Sequence, residues 1–394
     1  MRTTTPSPLP HGVRPSLRDE RRYARDAGTL ATMPADNRDG DTPFSSDHLH
    51  SVRELHDAPH RFAYAFAGAG AWALALLHAV GGSHRSVLEA TDAYHPHALA
   101  LAVREGGLAT VTQAVHHDVA NALARAASKR ARWLVHGDPA PGPTFGLGLT
   151  ATIATDRSKR GDHRAHLATH DALGTEHVEV VLEKGARTRH EEEGALASWL
   201  LHLARRASGI LGDPAPSGAD HDVVRTTFEA DLEFRALLRD PDGVLYLTQD
   251  GATAPLPTGP GALRGIVSGS FHPMHTGHRQ LARAAEAYLG GPVAYEMAPS
   301  NADKDPTDPI GIRIRASQAY GDRGMVLTRR PLFADKAERL PGTVFVVGVD
   351  TARRIVEERF YGGADGLRRA FERIRAAGAR FLVAGRASEG AFER

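Results

Sequence analysis

The chain contains no cysteine. That excludes disulfides and thiolate metal sites, and it fits a reducing compartment. No apolar run reaches the roughly eighteen residues that span a bilayer. Arg21-Arg22 is not followed by an apolar segment, so no secretory signal is read there. An excess of one charge is also missing. Lys and Arg number 48, Asp and Glu 47, and the formal net charge is +1. No global field therefore points to nucleic acid or a membrane surface as a partner. These absences together predict a cytoplasmic protein. Residues 1–59 show almost no apolar periodicity and are rich in Pro, Ser, Thr, Asp and Arg. Such a segment buries too little surface to offset its ordering entropy, and it reads as a disordered leader.

The 394 residues are long for one domain and predict two or three. A composition of 41% hydrophobic and 24% charged residues is ordinary for a globular protein. Histidine is abundant, at 22 residues. Most, such as His116-His117 and His163 with His166, lack a spacing that closes a metal site, so they read as solvated or hydrogen-bonded side chains and no protein-held metal is expected.

Residues 60–209 read as a first α/β domain. Phe62–Phe66 predicts a strand entering a Gly/Ala turn, followed by an apolar helix over Ala73–Val80. Further strands are predicted at Ser86–Ala90, Leu147–Ala154 and Glu176–Leu182, and helices at Asp118–Ala127 and Glu191–Arg206. Arg157, Lys159, Arg160 and Arg164 read as a basic loop. Residues 210–262 carry two Pro/Gly-rich stretches and read as a linker with minor structure, including a short helix over Phe228–Leu238 and a strand over Val244–Leu247 paired across a turn at Gln249–Gly251.

Residues 263–394 alternate short apolar strands with helical patterns. Strands are predicted at Gly265–Ser268, Val293–Met297, Met325–Thr328, Thr343–Gly348 and Arg380–Ala384. Helices are predicted at Gly277–Leu289, Pro309–Tyr320, Phe333–Leu340, Thr351–Arg359 and Gly363–Ala377. This alternation implies a Rossmann-like parallel sheet covered on both faces. Its ligands belong at the carboxyl ends of the strands. Gly-Ser-Phe-His-Pro-Met-His-Thr-Gly-His, residues 269–278, falls at such a strand-to-helix junction. Backbone N–H groups and the macrodipole favour an anion there. Gly269 allows close approach of a ligand, Gly277 permits a turn, and His275 and His278 lie three apart on one helix face. The plainer reading of the same ten residues is a Gly-rich turn with two surface histidines.

His-x-Gly-His after Gly-x-Phe-x-Pro, at the end of a first strand, resembles the nucleotidylyltransferase superfamily. That superfamily includes nicotinamide and nicotinate mononucleotide adenylyltransferases and cytidylyltransferases. The resemblance implies transfer of a nucleotidyl group from a triphosphate, most naturally ATP, to a small phosphorylated acceptor, with Mg²⁺ arriving on the triphosphate. It implies that His275 and His278 are catalytic. It implies that Gly269, Ser270, Phe271 and Gly277 line the phosphate turn, that Lys304 adds a phosphate contact, and that Gly348 and Asp350 meet the nucleoside. Arg329 and Arg386 are weaker candidates. The superfamily's later Ile-Ser-x-Ser/Thr-x-x-Arg segment does not occur in these residues. The resemblance then implies a substitute group, weaker triphosphate binding, or a chain that continues further.

Residues 60–209 resemble the domain of CinA-type proteins, whose active members hydrolyse the amide of nicotinamide mononucleotide. The resemblance rests on the first Gly turn, the Val80-Gly81-Gly82-Ser83 turn, Tyr94, Gly148–Ala151, Gly161–Arg164 and the helix after Glu191. Phe66–Ala71 holds no Ser, Thr or Cys where the amidases carry serine, so the amidase reaction is expected to be absent. Both resemblances touch pyridine mononucleotides, which makes these the leading acceptors. A cytidylyltransferase acting on an alcohol or sugar phosphate, and a non-catalytic nucleotide-binding scaffold, remain alternatives, and a homo-oligomer is allowed.

Overall fold

The computed structural model describes residues 44–157, 160–212, 216, 222–259, 262–299, 308–385, 387–388 and 391–392. Two sheets carry the fold, and each contains parallel strands. The elements of the first are α1 (Ser46–Asp57), β1 (Arg61–Ala67), α2 (Ala71–His78), β2 (Val87–Asp92), α3 (Pro96–Glu105), α4 (His117–Leu134), β3 (Thr144–Thr152), β4 (His163–His170), β5 (Gly174–Leu182), α5 (Arg189–Ala207) and β6 (Val223–Ala230). Strand order is β2-β1-β3-β4-β5-β6, parallel across the first three and antiparallel from β3 onward.

Strand β1 shows how the two faces differ. Phe62, Tyr64 and Phe66 project into a core with Leu76 of α2 and Leu196 and Leu200 of α5. Ala63, Ala65 and Ala67 face the opposite side, toward Leu99 of α3 and Leu123 of α4. On that side the packing is tight. A Cβ on Gly146 would lie 2.1 Å from the Ala124 carbonyl oxygen, and one on Gly148 would lie 2.3 Å from that of Ala120. The alanine-rich helix α4 therefore rests on a glycine and alanine stripe with no room for larger side chains.

The second sheet follows α6 (Leu232–Arg239) and comprises β7 (Val244–Leu247), β8 (Thr253–Ala254), β9 (Gly265–Ser268), β10 (Val293–Met297), β11 (Met325–Thr328), β12 (Val344–Gly348) and β13 (Arg380–Ala384). Its order is β13-β12-β9-β10-β11-β7-β8, with β9 to β13 parallel and β7 and β8 antiparallel at one edge. Helices α7 (Thr276–Leu289) and α8 (Pro309–Ser317) cover one face. Helices α9 (Phe333–Arg339), α10 (Val349–Ile355) and α11 (Ala364–Ala376) cover the other. The chain winds outward from β9 in both directions, so the topological switch point lies between β9 and β12. Among the described residues no helix is long and apolar enough to cross a membrane.

Two expectations need correction. Residues 46–57 fall in the stretch expected to be a disordered leader, yet they form a helix. Ser45 accepts the His48 N–H as its N-cap, and Leu49, Val52 and Leu55 are buried on one face. The stretch 210–262, expected as a linker with minor structure, is built into both sheets. Its β6 forms the edge beside β5, and β7, at the expected Val244–Leu247, pairs with β11 on one side and β8 on the other. The helix expected from Phe228 begins at Leu232 because residues 228–230 belong to β6.

Residues 44–394 pack as one unit. Arg313 of α8 sits at its centre. Its side chain is 1% exposed. Nε donates to Asp171 Oδ2 at 2.6 Å, and Nη1 donates to Thr169 Oγ1 at 2.8 Å and Glu176 Oε2 at 3.0 Å. Those acceptors lie on or between β4 and β5 of the first sheet, so one guanidinium ties the two sheets together. Replacing it strips buried Asp171 of its cation and leaves Glu176 only its contact with Arg206. Arg313→Ala is expected to lower the unfolding free energy by about 3–5 kcal/mol, measured by urea denaturation.

His60 lies beside this network, its ring 5.9 Å from that of Tyr320. Neither ring nitrogen has a hydrogen-bond partner among the described residues. Burial pushes its pKa down to about 3, with Asp171 opposing and Arg313 assisting. Between about pH 3 and the ordinary value of 6.5 the unfolded chain binds a proton that the native state refuses. Stability from this group is therefore complete above 6.5 and lost as pH falls through that window. In His60→Phe that loss disappears. The variant's urea midpoint should gain on the wild type progressively as pH drops from neutral, and a constant difference would contradict this.

Candidate functional site

The loop 269–275 leaves β9 at the switch point. Phe271 adopts a left-handed φ of 46°, and the bond joining His272 to Pro273 is cis. The Phe271 ring is wholly buried, edge-on to Tyr295 at 5.4 Å and to His278 at 5.1 Å. It was expected to line a phosphate turn; its side chain instead anchors the loop to the core. The glycines serve the same packing. A Cβ on Gly269 would come within 2.9 Å of the Phe271 ring, and one on Gly277 within 3.1 Å of the His275 ring. At both residues the position of a Cβ is taken by the motif's own rings.

Gln318, just beyond α8, clamps the loop from below. Its Oε1 accepts the Met274 N–H at 2.7 Å, and its Nε2 donates to the Phe271 carbonyl at 3.1 Å. Arg279 Nη2 donates to the Gln318 carbonyl at 2.8 Å. No sequence motif marks Gln318, and its role arises only from the fold.

His275 and His278 come together as expected. Their ring centroids are 3.8 Å apart and nearly parallel, His275 exposed and His278 half-buried. His275 is the N-cap of α7, and its backbone N–H donates to His278 Nδ1 at 3.2 Å. A neutral His278 must then carry its proton on Nε2. Burial, assisted by His275, pushes the His278 pKa down to about 4. At neutral pH the site thus presents an uncharged N–H donor at the start of a fourteen-residue helix.

Next to this loop is a cleft of about 220 Å³ across the carboxyl ends of the parallel strands. Ser268, Gly269 and Ser270 follow β9, Ala298 follows β10, Lys336 belongs to α9, and Thr351 and Arg354 belong to α10. Phe333, Phe360 and Tyr361 supply apolar wall. The Ser268 hydroxyl is buried and has no hydrogen-bond partner among the described residues. Lys336 Nζ donates to Glu296 Oε2 at 2.8 Å, while Thr328 Oγ1 donates to Glu296 Oε1 at 2.6 Å. Arg354 stands 5.9 Å from the Phe360 ring. The lining residues thus comprise hydroxyls and two basic side chains, of which Lys336 is already paired with Glu296. That donor set suits a polyphosphate, whose own oxygens would hold Mg²⁺.

The remaining expected residues are dispersed. Gly348 ends β12 and Asp350 lies exposed in the first turn of α10, next to the cleft residue Thr351. The histidine pair does not line the cleft; Gly269 and Ser270 connect the two. Lys304 and Arg386 lie outside the described residues. Arg329 begins the loop after β11, its backbone N–H donating to the Gly243 carbonyl.

The first sheet has a corresponding strand-to-helix turn, but it is occupied from within. Gly68 lies against the Ala151 carbonyl, where a Cβ would come within 2.2 Å. The Gly70 N–H donates to Glu193 Oε2 at 2.9 Å. Neighbouring Glu192 accepts from Ala154 N at 2.7 Å and pairs with His163 Nδ1 at 2.6 Å. Tyr94, one of the residues that carried the resemblance, is 72% exposed and so is not a half-buried structural tyrosine. Arg164, read as part of a basic loop, lies in β4 and pairs with Asp162 and Glu179, while Lys159 lies outside the described residues.

No family model matches the chain. No curated protein matches it either. Among solved structures, it is similar to the competence/damage inducible protein CihA from Agrobacterium tumefaciens, at 19% identity and a TM-score of 0.33, covering 41% of this chain and 96% of that one. It is similar to a competence-damaged protein (CinA) superfamily protein from Enterobacter cloacae, at 15% identity and a TM-score of 0.33, covering 45% and 99%. A CinA superfamily protein from Klebsiella pneumoniae is similar at 12% identity and a TM-score of 0.32, covering 41% and 95%.

The Gln318 clamp has a direct test. Gln318→Ala removes the partners of Met274 N–H and the Phe271 carbonyl, at a cost of about 1–3 kcal/mol. Hydrogen exchange at the Met274 amide should accelerate more than exchange in β10; uniform acceleration would indicate only global loosening.

Proposed function

We propose that the carboxyl edge of the second sheet binds a nucleoside triphosphate, with ATP the leading nucleotide, and transfers its nucleotidyl group to a small phosphorylated acceptor. The observation that carries this reading is the conjunction at the switch point. An uncharged imidazole donor stands at the start of α7, stacked on a second imidazole, beside a cleft lined with hydroxyls and cations. In the reaction an acceptor phosphate oxygen attacks the α-phosphorus, the bond to the bridging oxygen breaks, and pyrophosphate leaves. Charge grows on the non-bridging and leaving oxygens, so placed donors can do most of the work. His278 Nε2–H and His275 serve as those donors. Ser268, Ser270 and Thr351 contact phosphate or ribose, Lys336 and Arg354 balance its charge, and the aromatic wall takes the base.

The choice of a pyridine mononucleotide as acceptor rests on the sequence resemblances alone. Incubation of the full chain with ATP, Mg²⁺ and nicotinamide or nicotinate mononucleotide should release pyrophosphate, with CTP run in parallel. His278→Ala should reduce kcat by about 10²–10³-fold. Binding of ATP, seen as a raised melting temperature, without pyrophosphate from any pair would leave a nucleotide-binding protein. The absence of both binding and turnover would overturn the reading.

A further inference from the structure

Histidines that are far apart in sequence meet on the first sheet, well outside the site just described. His166 of β4 pairs with Glu179 of β5, which sets His177 diagonally beside His166 on the same face. The two are 5% and 6% exposed, their rings stack at 5.2 Å, and His166 Nδ1 lies 3.0 Å from His177 Nε2. The seating of α4 on Gly146 and Gly148 brings the start of that helix over the same face. His116 and His117 consequently stand with ring centroids 6.3 Å from His166 and 6.1 Å from His177 respectively.

We propose that His116, His117, His166 and His177 bind one divalent transition-metal ion of the imidazole-preferring class, with Zn²⁺ as its representative. The nitrogen separation within the buried pair is already close to what such an ion needs. Ligands about 2.0–2.1 Å from a tetrahedral centre are themselves roughly 3.3 Å apart. A metal would replace the single proton that His166 and His177 otherwise share. Their outer partners fit as well. His177 Nδ1 faces Thr227 Oγ1 at 3.4 Å, and His117 Nδ1 lies 3.2 Å from Asp118 Oδ1. His116 Nδ1 accepts the Asp118 N–H at 3.3 Å as the N-cap of α4, so metal binding requires that ring to turn out of its cap. A carboxylate on the far nitrogen is how proteins orient metal-binding imidazoles. His116, His117 and Asp118 place ligand atoms within 4.8 Å of one another, and binding requires the two outer rings to turn from this group toward the buried pair. Imidazole nitrogens of this kind suit Zn²⁺, Cu²⁺ and Ni²⁺ and offer little to Mg²⁺ or Ca²⁺.

The test uses the full chain, stripped with chelator and titrated with ZnCl₂ against a competing dye that suppresses weak surface histidines. One equivalent should bind and raise the melting temperature. Exposed His117→Ala should weaken that equivalent about 10-fold, and His166→Gln about 100-fold or more. His84→Ala, at a distant exposed histidine, should leave it unchanged. Co²⁺ in place of Zn²⁺ should give the intense visible bands of four-coordinate nitrogen ligation, which disappear in His117→Ala even if His166→Gln fails to fold. Equal Zn²⁺ affinity in wild type and His117→Ala, or the absence of a saturable single equivalent, would overturn the proposal.

Discussion

A buried guanidinium must be paired, and in this chain every described pairing of Arg313 is with the other sheet. That requirement organises the molecule. Arg313 is on the crossover helix between β10 and β11, and its acceptors are on the β4–β5 hairpin and turn. Asp171 is committed a second time, its Oδ1 accepting the Leu173 N–H at 2.9 Å. Leu173, in that same turn, reaches the core of the second sheet. Arg206 of α5 adds a contact to Glu176 at 2.8 Å. The tie thus joins a rigid hairpin to a rigid helix, and neither sheet can shift without stranding charge in the interior.

The consequence reaches the candidate site through one helix. Gln318 follows Arg313 by little more than a turn and holds both sides of the 271–274 loop. The loop places His275 at the cap of α7, and the cap hydrogen bond places His278. Each step is a short polar contact to backbone or buried charge, so the positions of the two imidazoles depend on packing far from them. The first sheet has the same strand-to-helix geometry with a different outcome. There Glu193 supplies the anion that the helix start favours, and the turn is filled. At α7 no described carboxylate takes that place, and the turn opens beside a cleft lined with hydroxyls and cations.

Much of the second sheet is readable from sequence because buried parallel strands are short, nearly uninterrupted apolar runs between helical patterns. Gly265–Ser268, Val293–Met297 and Met325–Thr328 emerge with the expected bounds. The junction at 269–278 is legible for the same reason, and its stacked histidines follow from helix spacing. What could not be read is what depends on register or on distant packing. Arg313 is 137 positions from Glu176, and nothing local distinguishes it from Arg315 on the same helix. His166 and His177 are neighbours only because of how β4 pairs with β5. Helix α1 is a different case. Leu49, Val52 and Leu55 recur at threes behind a Ser45 cap, a signal that the polar composition around it conceals.

On the proposed reading, the protonation state of His278 matters more than its position. A permanently charged group would attract the triphosphate as strongly before reaction as during it, which improves binding without lowering the barrier. His278 is kept neutral twice over, by partial burial and by a backbone N–H that occupies Nδ1. Its outward Nε2–H is a dipole, modest toward a phosphate whose charge is already balanced by cations. As the bond to the leaving pyrophosphate lengthens, charge accumulates on the oxygens it faces, and the hydrogen bond shortens and strengthens. A backbone hydrogen bond that looks merely like a helix cap is therefore what makes the donor weak at the start and strong when the charge arrives.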